Sequence, residues 1–400
     1  MTAADSASSS ALPPTTRTLP VHLRRVLVLD AGPIAPMETA GDRAIADLLD
    51  SLVAIGAKVH FHGLGSRGPD DLELLRAIRG RSPMITATSE NPSIDDLLAG
   101  GDFDVVIASR PGTALAVSAA LRRHPELLRI YWGHDIHSMR LSAQNALLGV
   151  PEDHRTRITA LAERTNWSTF DCSVYPAQFE ADHVHSILGD DRAVAFPYYR
   201  LTDLDLPQQV PPHAGRRGLL MVGLGAHAPN ADAAVWMVDE ILPLIESASA
   251  SLTIVGRWEP ELRERLAHPA VTFTGLVSDD ELRALHLQHL CLIAPLRFGG
   301  GTRRKLVGSM GFGLPVVTTP EGLRGLLVRD GIDGSDGISV GGDPTELATA
   351  VHQLMDDASW WSSLSHAAQR AAGWTYGSDA YDRSLIDLLM RSDDRRTALR

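Results

Sequence analysis

The sequence predicts an α/β protein of two doubly wound domains, each a mostly parallel sheet covered by helices on both faces. Three observations predict it. Short apolar runs alternate with stretches of helical periodicity along most of the chain, as in repeated strand-helix-strand units. The alternation lapses between Tyr198 and Arg217, where three prolines stand in a segment without periodicity. At 400 residues, the chain exceeds the length at which one core keeps growing, so two domains of roughly 150 to 200 residues are expected.

Arg24 to Asp30 reads as a buried strand closed by Ala31-Gly32-Pro33. Ala44, Ile45, Leu48, Leu49, Leu52 and Val53 then fall at helical spacing, and Gly56 stops that helix before the strand Lys58 to His62. Asp104 to Ala108, Leu128 to Trp132, Phe170 to Tyr175 and Ala193 to Phe196 continue the series, with a helix from Thr113 to Arg122. The second series runs Gly218 to Val222, helical Asp232 to Ile245, Leu252 to Val255, Val271 to Phe273, Leu290 to Ile293, Pro315 to Thr319 and Gly337 to Val340. Three helices follow, near 344–355, 360–372 and 379–390. The expected division is a disordered leader 1–20, a first domain 21–200, a linker 201–217, a second domain 218–377, a C-terminal helix 378–392 and a fraying tail 393–400.

Composition narrows the function classes. Apolar residues make up 44% and charged residues 22%, ordinary for a soluble globular enzyme, and a formal charge of −12 argues against nucleic acid as a partner. Cys172 and Cys291 lie in separate apolar runs, which disfavours a disulfide or a thiolate metal site and fits a reducing compartment. The leader has neither a basic start nor an apolar core, and no apolar run reaches the ~18 to 20 residues of a membrane helix. The expected location is the cytoplasm, either free or peripheral to the inner face of the membrane.

The chemistry-bearing residues cluster at strand ends, where open α/β sheets bind ligands. Ala294 to Lys305 runs from a strand through Gly299, Gly300, Gly301 and Thr302 into a helix that opens with Arg303 and Lys305. Such a turn offers amides and cations to a phosphate, and its plain alternative is a tight turn with a solvated basic face. Gly223 and Gly225 precede His227 and Asn230, the latter a contact or an N-cap, and Arg257 and Arg297 follow two further strands. Several cations and polar groups at successive strand ends suit a diphosphate. In the first domain His134 and Asp135 follow a strand directly; they read as a donor pair for a substrate hydroxyl or as a turn in which Asp caps His. His134 and His137 as metal ligands lack a carboxylate or cysteine pair at a recognised spacing, so no metal is expected.

With these residues assembled, the chain resembles the GT-B-fold glycosyltransferases of family 4, a retaining group that uses sugar nucleotides. The resemblance spans roughly 24 to 390 and is most specific over Val222 to Ala233, Ile254 to Arg257, Ala294 to Arg303 and Gly313 to Thr319; Tyr131 to His137 is similar to the group's first-domain histidine motif. It implies two Rossmann-like domains whose parallel sheets face a central cleft, with the donor nucleotide on the second and the acceptor on the first. It also implies no metal and no cofactor beyond the nucleoside diphosphate sugar as co-substrate. Carried over by position, Arg303, Lys305 and the turn would meet the diphosphate, His134 with Asp135 would stand at the donor sugar, and Gly41 and Asp42 match the turn that opens the first long helix.

The sequence departs from that pattern at the nucleotide. Where the group carries Glu-Ala-Met to hold the ribose, this chain reads Gly308-Ser309-Met310; Gly300 stands at another frequent glutamate, and Arg324 replaces the acid of a later Gly-Ala-Glu-Gly-Leu pattern. Glu321 is the nearby candidate to stand in. The expected function is a metal-independent retaining transfer of a hexose from a nucleoside diphosphate sugar to a hydroxyl of a glycan, glycolipid or small metabolite. The alternatives are a degenerate GT-B protein that binds a sugar nucleotide or a protein partner without transfer, and a nucleotide-sugar epimerase.

Overall fold

The computed structural model describes residues 18–32, 39–64, 82–87, 92–245, 251–327 and 336–398. The expected leader up to residue 17, and the last two residues of the tail, lie outside the described residues.

Two all-parallel sheets form the molecule. The first contains β1 (Arg25–Asp30), β2 (Lys58–Gly63), β3 (Ile85–Ala87), β4 (Val105–Ser109), β5 (Leu128–Trp132), β6 (Cys172–Tyr175) and β7 (Ala193–Ala195), in the order β3-β2-β1-β4-β5-β6-β7. The second contains β8 (Leu219–Val222), β9 (Leu252–Val255), β10 (Val271–Gly275), β11 (Cys291–Ala294), β12 (Val316–Thr318) and β13 (Ile338–Val340), in the order β10-β9-β8-β11-β12-β13. Central strands such as β4 and β11 are buried at every position, which is why they read as unbroken apolar runs. β10 lies at an edge and alternates half-buried with exposed residues. Strand order reverses at β1/β4 and at β8/β11, and those two points set the crevices available to a ligand.

The helix Ala40–Ala54 is fixed at its start by a capping box: Asp42 N donates to Thr39 Oγ1 at 3.2 Å and Thr39 N to Asp42 Oδ2 at 3.0 Å. Caps of this kind stabilise by about 1 kcal/mol. Its inner face buries Ile45, Leu48, Leu49 and Leu52 against the first sheet.

The chain passes between the sheets twice, side by side: Leu201 N donates to Tyr376 O (2.7 Å) and Ser378 N to Leu201 O (2.9 Å). Beyond that point the helix Ser378–Ala398 packs on Ala40–Ala54, where Ser51 Oγ and the Arg200 guanidinium both donate to Asp382. The structure differs from expectation in two segments. The last helix runs through the stretch expected to fray, because Arg395 donates to Asp191 O at 2.6 Å and Arg396 to Glu126 O. Segment 201–217 is not a free linker: Gln369 Nε2 donates to Pro207 O (2.7 Å), His213 Nε2 lies 2.9 Å from Leu354 O, and Arg216 is buried over the Trp361 ring.

Candidate functional site

The strand ends of the two sheets meet across a cleft. On the first-domain side β5 ends in Gly133, where a Cβ would stand 2.5 Å from the Tyr175 ring, so only glycine lets the chain turn there. His134 follows, with Nε2 2.8 Å from Ser109 Oγ at the end of β4. A Cβ on Gly41 would lie 3.2 Å from the Arg110 guanidinium and 3.4 Å from His134 Nδ1, so the bare glycine keeps these groups open to the cleft. Burial, reinforced by the charge of Arg110, pushes the His134 imidazole down to about 3, so it is neutral at physiological pH.

Arg110, Asp30 and Ser109 were not legible as site residues, although strand ends of an open sheet are the place to look. Arg110 has φ +70° and ψ 147°, a conformation that costs a non-glycine residue about 1 to 3 kcal/mol. Its Nε donates to Asp30 Oδ1 at 2.8 Å and its Nη2 to Asp42 Oδ1 at 2.9 Å. The carboxylates that hold it come from the end of β1 and from the capping box of Ala40–Ala54.

Asp135 is buried, which opposes ionisation. His137 Nε2 at 2.9 Å and Arg140 Nε at 2.6 Å nevertheless hold its carboxylate below the usual range. The second domain closes on this pair. A Cβ on Gly300 would stand 2.6 Å from Asp135 Oδ2, and one on Gly301, at φ +64°, 2.6 Å from His134 O. Thr302 Oγ1 donates to Pro176 O (2.9 Å), and Tyr199 OH donates to Thr302 O (3.1 Å). Glu180 Oε1 accepts from both Ile136 N and Gly301 N at 3.1 Å. The turn read as a phosphate cradle is therefore also the surface on which the domains meet, and its Gly301 amide is already engaged.

Arg303 does not stand free for an anion. It is buried and donates to Gly300 O at 2.7 Å, to Gly301 O, and to Glu321 O at 3.2 Å, with Glu321 Oε1 at 3.4 Å. Glu321 also faces Arg324 at 3.6 Å, so it serves as a counter-charge to arginines. Lys305 differs. Its Nζ donates to Asn230 Oδ1, and among the described residues it has no carboxylate partner. Desolvation, then the charge of Arg303, pushes it down to about 7. Asn230 is held in turn by a bond from Nδ2 to Leu224 O (3.0 Å); it is not the N-cap, since His227 occupies that position and Asn230 lies in the first turn of the helix Ala228–Trp236.

His227 stands opposite Asp135, Arg140 and Lys305; desolvation of the ring and those cations push it down to about 4. Arg297 is turned onto the helix Ala228–Trp236, paired with Asp232 and 5.3 Å over the Trp236 ring. Arg257 is exposed, and its carbonyl accepts from Gly225 N at 2.8 Å. The structure thus gathers Gly41, Asp42, His134, Asp135, Gly300, Gly301, Thr302 and Arg303 in one set of contacts. It joins Asn230 and Lys305 in a second beside them, and engages Arg297 on a helix flank. Arg304, which carries no site signal in the sequence, joins the domains through Asp47 (3.0 Å). Glu180 had no sequence signal, being one acid in an ordinary helical stretch.

Two Rossmann-like sheets with their carboxyl ends facing one cleft, joined by paired crossings and a returning C-terminal helix, define a GT-B fold. Known proteins agree with that class. Residues 216–357 match the family model "Glycosyl transferases group 1". HepE from Anabaena, solved with UDP, is 15% identical, covers 92% of this chain and 100% of its own, and superposes with a TM-score of 0.67. Sucrose-phosphate synthase from Thermosynechococcus elongatus is 14% identical over 93% of this chain and 100% of its own, with a TM-score of 0.71. WaaG, a glycosyltransferase involved in lipopolysaccharide biosynthesis, is 14% identical over 91% and 99%, with a TM-score of 0.61. No curated protein matches the sequence.

Proposed function

We propose that the chain is a glycosyltransferase that moves a hexose from a nucleoside diphosphate sugar to a hydroxyl acceptor, with retention and without a metal ion. One observation carries the reading: Lys305, at the start of the helix Arg304–Gly311 and beside the β8/β11 reversal, is a desolvated cation whose hydrogen-bond acceptor is a neutral amide. A half-buried cation without a counter-charge is stabilised by an arriving anion, and helix amides add to that field. The diphosphate of a donor fits there, and Lys305 offsets its charge as the sugar departs.

The neutral His134 imidazole, set by Ser109, faces the donor sugar from the first domain and presents a hydrogen bond without a competing charge. Contact between the Gly300–Thr302 turn and the His134–Ile136 turn excludes the water that would hydrolyse the donor. The acceptor enters from the first-domain side, past Arg110 and Asp30. The fold shared with HepE, which was crystallised with UDP-glucose, supports a donor of this class. We place the protein in the cytoplasm, free or peripheral to the membrane; among the described residues no helix is long and apolar enough to cross one.

A second reading is favoured by Gly308 and by the engagement of Arg303 with its own turn: a GT-B protein that binds the nucleotide and transfers nothing. Calorimetric titration with UDP, GDP, ADP and dTDP, with and without magnesium, decides the first step. Metal-indifferent binding of one nucleotide, weakened in Lys305→Ala, is expected. Release of free sugar from the matching donor then separates an enzyme from a binder. No binding by any of the four overturns both readings of the site.

A further inference from the structure

The donor reading leaves the ribose without a partner on the helix Arg304–Gly311, since Gly308 has no side chain and nothing lies within 4 Å of where one would begin. The ends of β8 and β9 supply one. These strands are neighbours, and their turns are stitched together: Gly223 N donates to Val255 O (2.9 Å) and Gly225 N to Arg257 O (2.8 Å). Gly256 permits this by adopting φ +125°, where a Cβ would stand 2.0 Å from Gly223 O. Residues 256–259 are thereby laid across the glycine turn at the end of β8.

On that turn two kinds of polar group sit two residues apart. The Asn230 amide, which binds Lys305, lies over Gly223, 2.6 Å from where its Cβ would be. Over Gly225 lie the Trp258 ring, 2.9 Å from the corresponding point, and Glu259 Oε2, 3.0 Å from it. The Glu259 side chain is exposed, does not cap the helix Pro260–Arg265 that it precedes, and has no hydrogen-bond or ion-pair partner among the described residues. Trp258 is buried, and its indole Nε1 has no partner among the described residues.

We propose that Glu259 binds the ribose hydroxyls of the nucleoside diphosphate, in a subsite walled by Gly225 and Trp258. The inference rests on the donor reading above. A vicinal diol donates two charge-assisted hydrogen bonds to one carboxylate. In a Rossmann-type unit the acid that follows the second strand lies within reach of the ribose when the phosphate is held at the first turn. Phosphate at Lys305 and Asn230 and diol at Glu259 then follow the order of a nucleoside diphosphate along the turn. A free carboxylate beside bare glycine repels a second phosphate, so the geometry selects a sugar diol at that end.

The test is calorimetric titration of the full chain with UDP, GDP and ADP, the tightest of them being repeated as its 2′,3′-dideoxy counterpart, together with inorganic pyrophosphate. Wild type, Glu259→Ala and Glu259→Gln are compared. Glu259→Ala is expected to weaken the nucleotide by about tenfold to a hundredfold, to leave pyrophosphate unchanged, and to bind nucleotide and dideoxynucleotide alike. Wild type is expected to prefer the nucleotide by a similar factor. Nucleotide binding that is unchanged in Glu259→Ala overturns this assignment alone, as does an equal loss of pyrophosphate. Absence of any nucleotide binding by wild type overturns it together with the donor site.

Discussion

Glu180 of the first domain accepts a hydrogen bond from Gly301 N of the second at 3.1 Å, and the same oxygen accepts from Ile136 N at 3.1 Å. One buried carboxyl thus ties the turn beside His134 to the turn beside Arg303. Its other oxygen has no partner among the described residues. Burial, then the charge of Asp135, pushes the Glu180 carboxyl up to about 8. The closed arrangement of the cleft is therefore linked to a proton.

The sign of that linkage follows from a folded value above the unfolded one. Between the ordinary carboxyl range and about pH 8 the native state holds a proton that the unfolded chain has released, so stability falls as pH rises. A tenfold difference in proton affinity between the two states is worth about 1.4 kcal/mol. Glu180→Gln keeps an acceptor for both amides and removes the titration. Its thermal midpoint should change less than that of wild type between pH 5.5 and 8.5, with the variant gaining most at the alkaline end. Parallel curves would place the Glu180 proton elsewhere.

Lys305 titrates near the working range, at about 7, and binds an anion only when charged. Nucleoside diphosphate affinity should weaken as pH rises from 7 to 9, because the bound anion keeps on Lys305 a proton that the free protein releases over that range. Lys305→Ala should remove this dependence and lower turnover about a hundredfold, the usual loss for one electrostatic contact to a leaving group. Titrations at pH 6.5, 7.5 and 8.5 check it; a variant with the same pH dependence as wild type would exclude Lys305 as the titrating group.

The sheets were legible because buried parallel strands carry unbroken apolar runs, as in Val105–Ser109 and Cys291–Ala294. β3, Ile85-Thr86-Ala87, was not, since a central threonine leaves it without an unbroken apolar run. At the site, sequence pointed to the glycines and basic residues of 299–305, but which cation stays available depends on rotamers. Arg303 and Lys305 are two residues apart; one folds onto its own turn and Glu321, the other reaches Asn230. Glu180 was invisible because its role comes from a residue 121 positions away. The tail looked frayed because the acceptors that anchor Arg395 and Arg396 to the first domain, Asp191 O and Glu126 O, are distant in sequence.

Gly256 tests the stitching of β8 to β9. A methyl group there would be strained at φ +125° and would stand 2.0 Å from Gly223 O, a backbone atom that cannot rotate away. Gly256→Ala should cost about 3 kcal/mol or more, read as a lower urea midpoint. Nucleotide affinity should fall with it, because Gly225, Trp258 and Glu259 are positioned by the same turn. Wild-type stability in this variant would show that the two strand ends are not in close contact.

Arg110 and Asp30 form the polar floor of the first-domain side, 2.8 Å apart, with Asp30 almost fully buried. Burial raises the Asp30 carboxyl while the guanidinium opposes that rise. Removing the arginine leaves a buried carboxylate without its cation but also relieves the backbone strain at residue 110. Because breaking a buried pair costs about 3 to 5 kcal/mol and the strain about 1 to 3 kcal/mol, Arg110→Gly should destabilise despite the relief. Asp30→Asn in the same chain should recover part of the loss, since the amide bears no charge to be left unpaired. A double-mutant cycle by urea denaturation is expected to give a coupling of about 0.5 to 3 kcal/mol; additive effects would mean that the strain at Arg110 is held by something other than this pair.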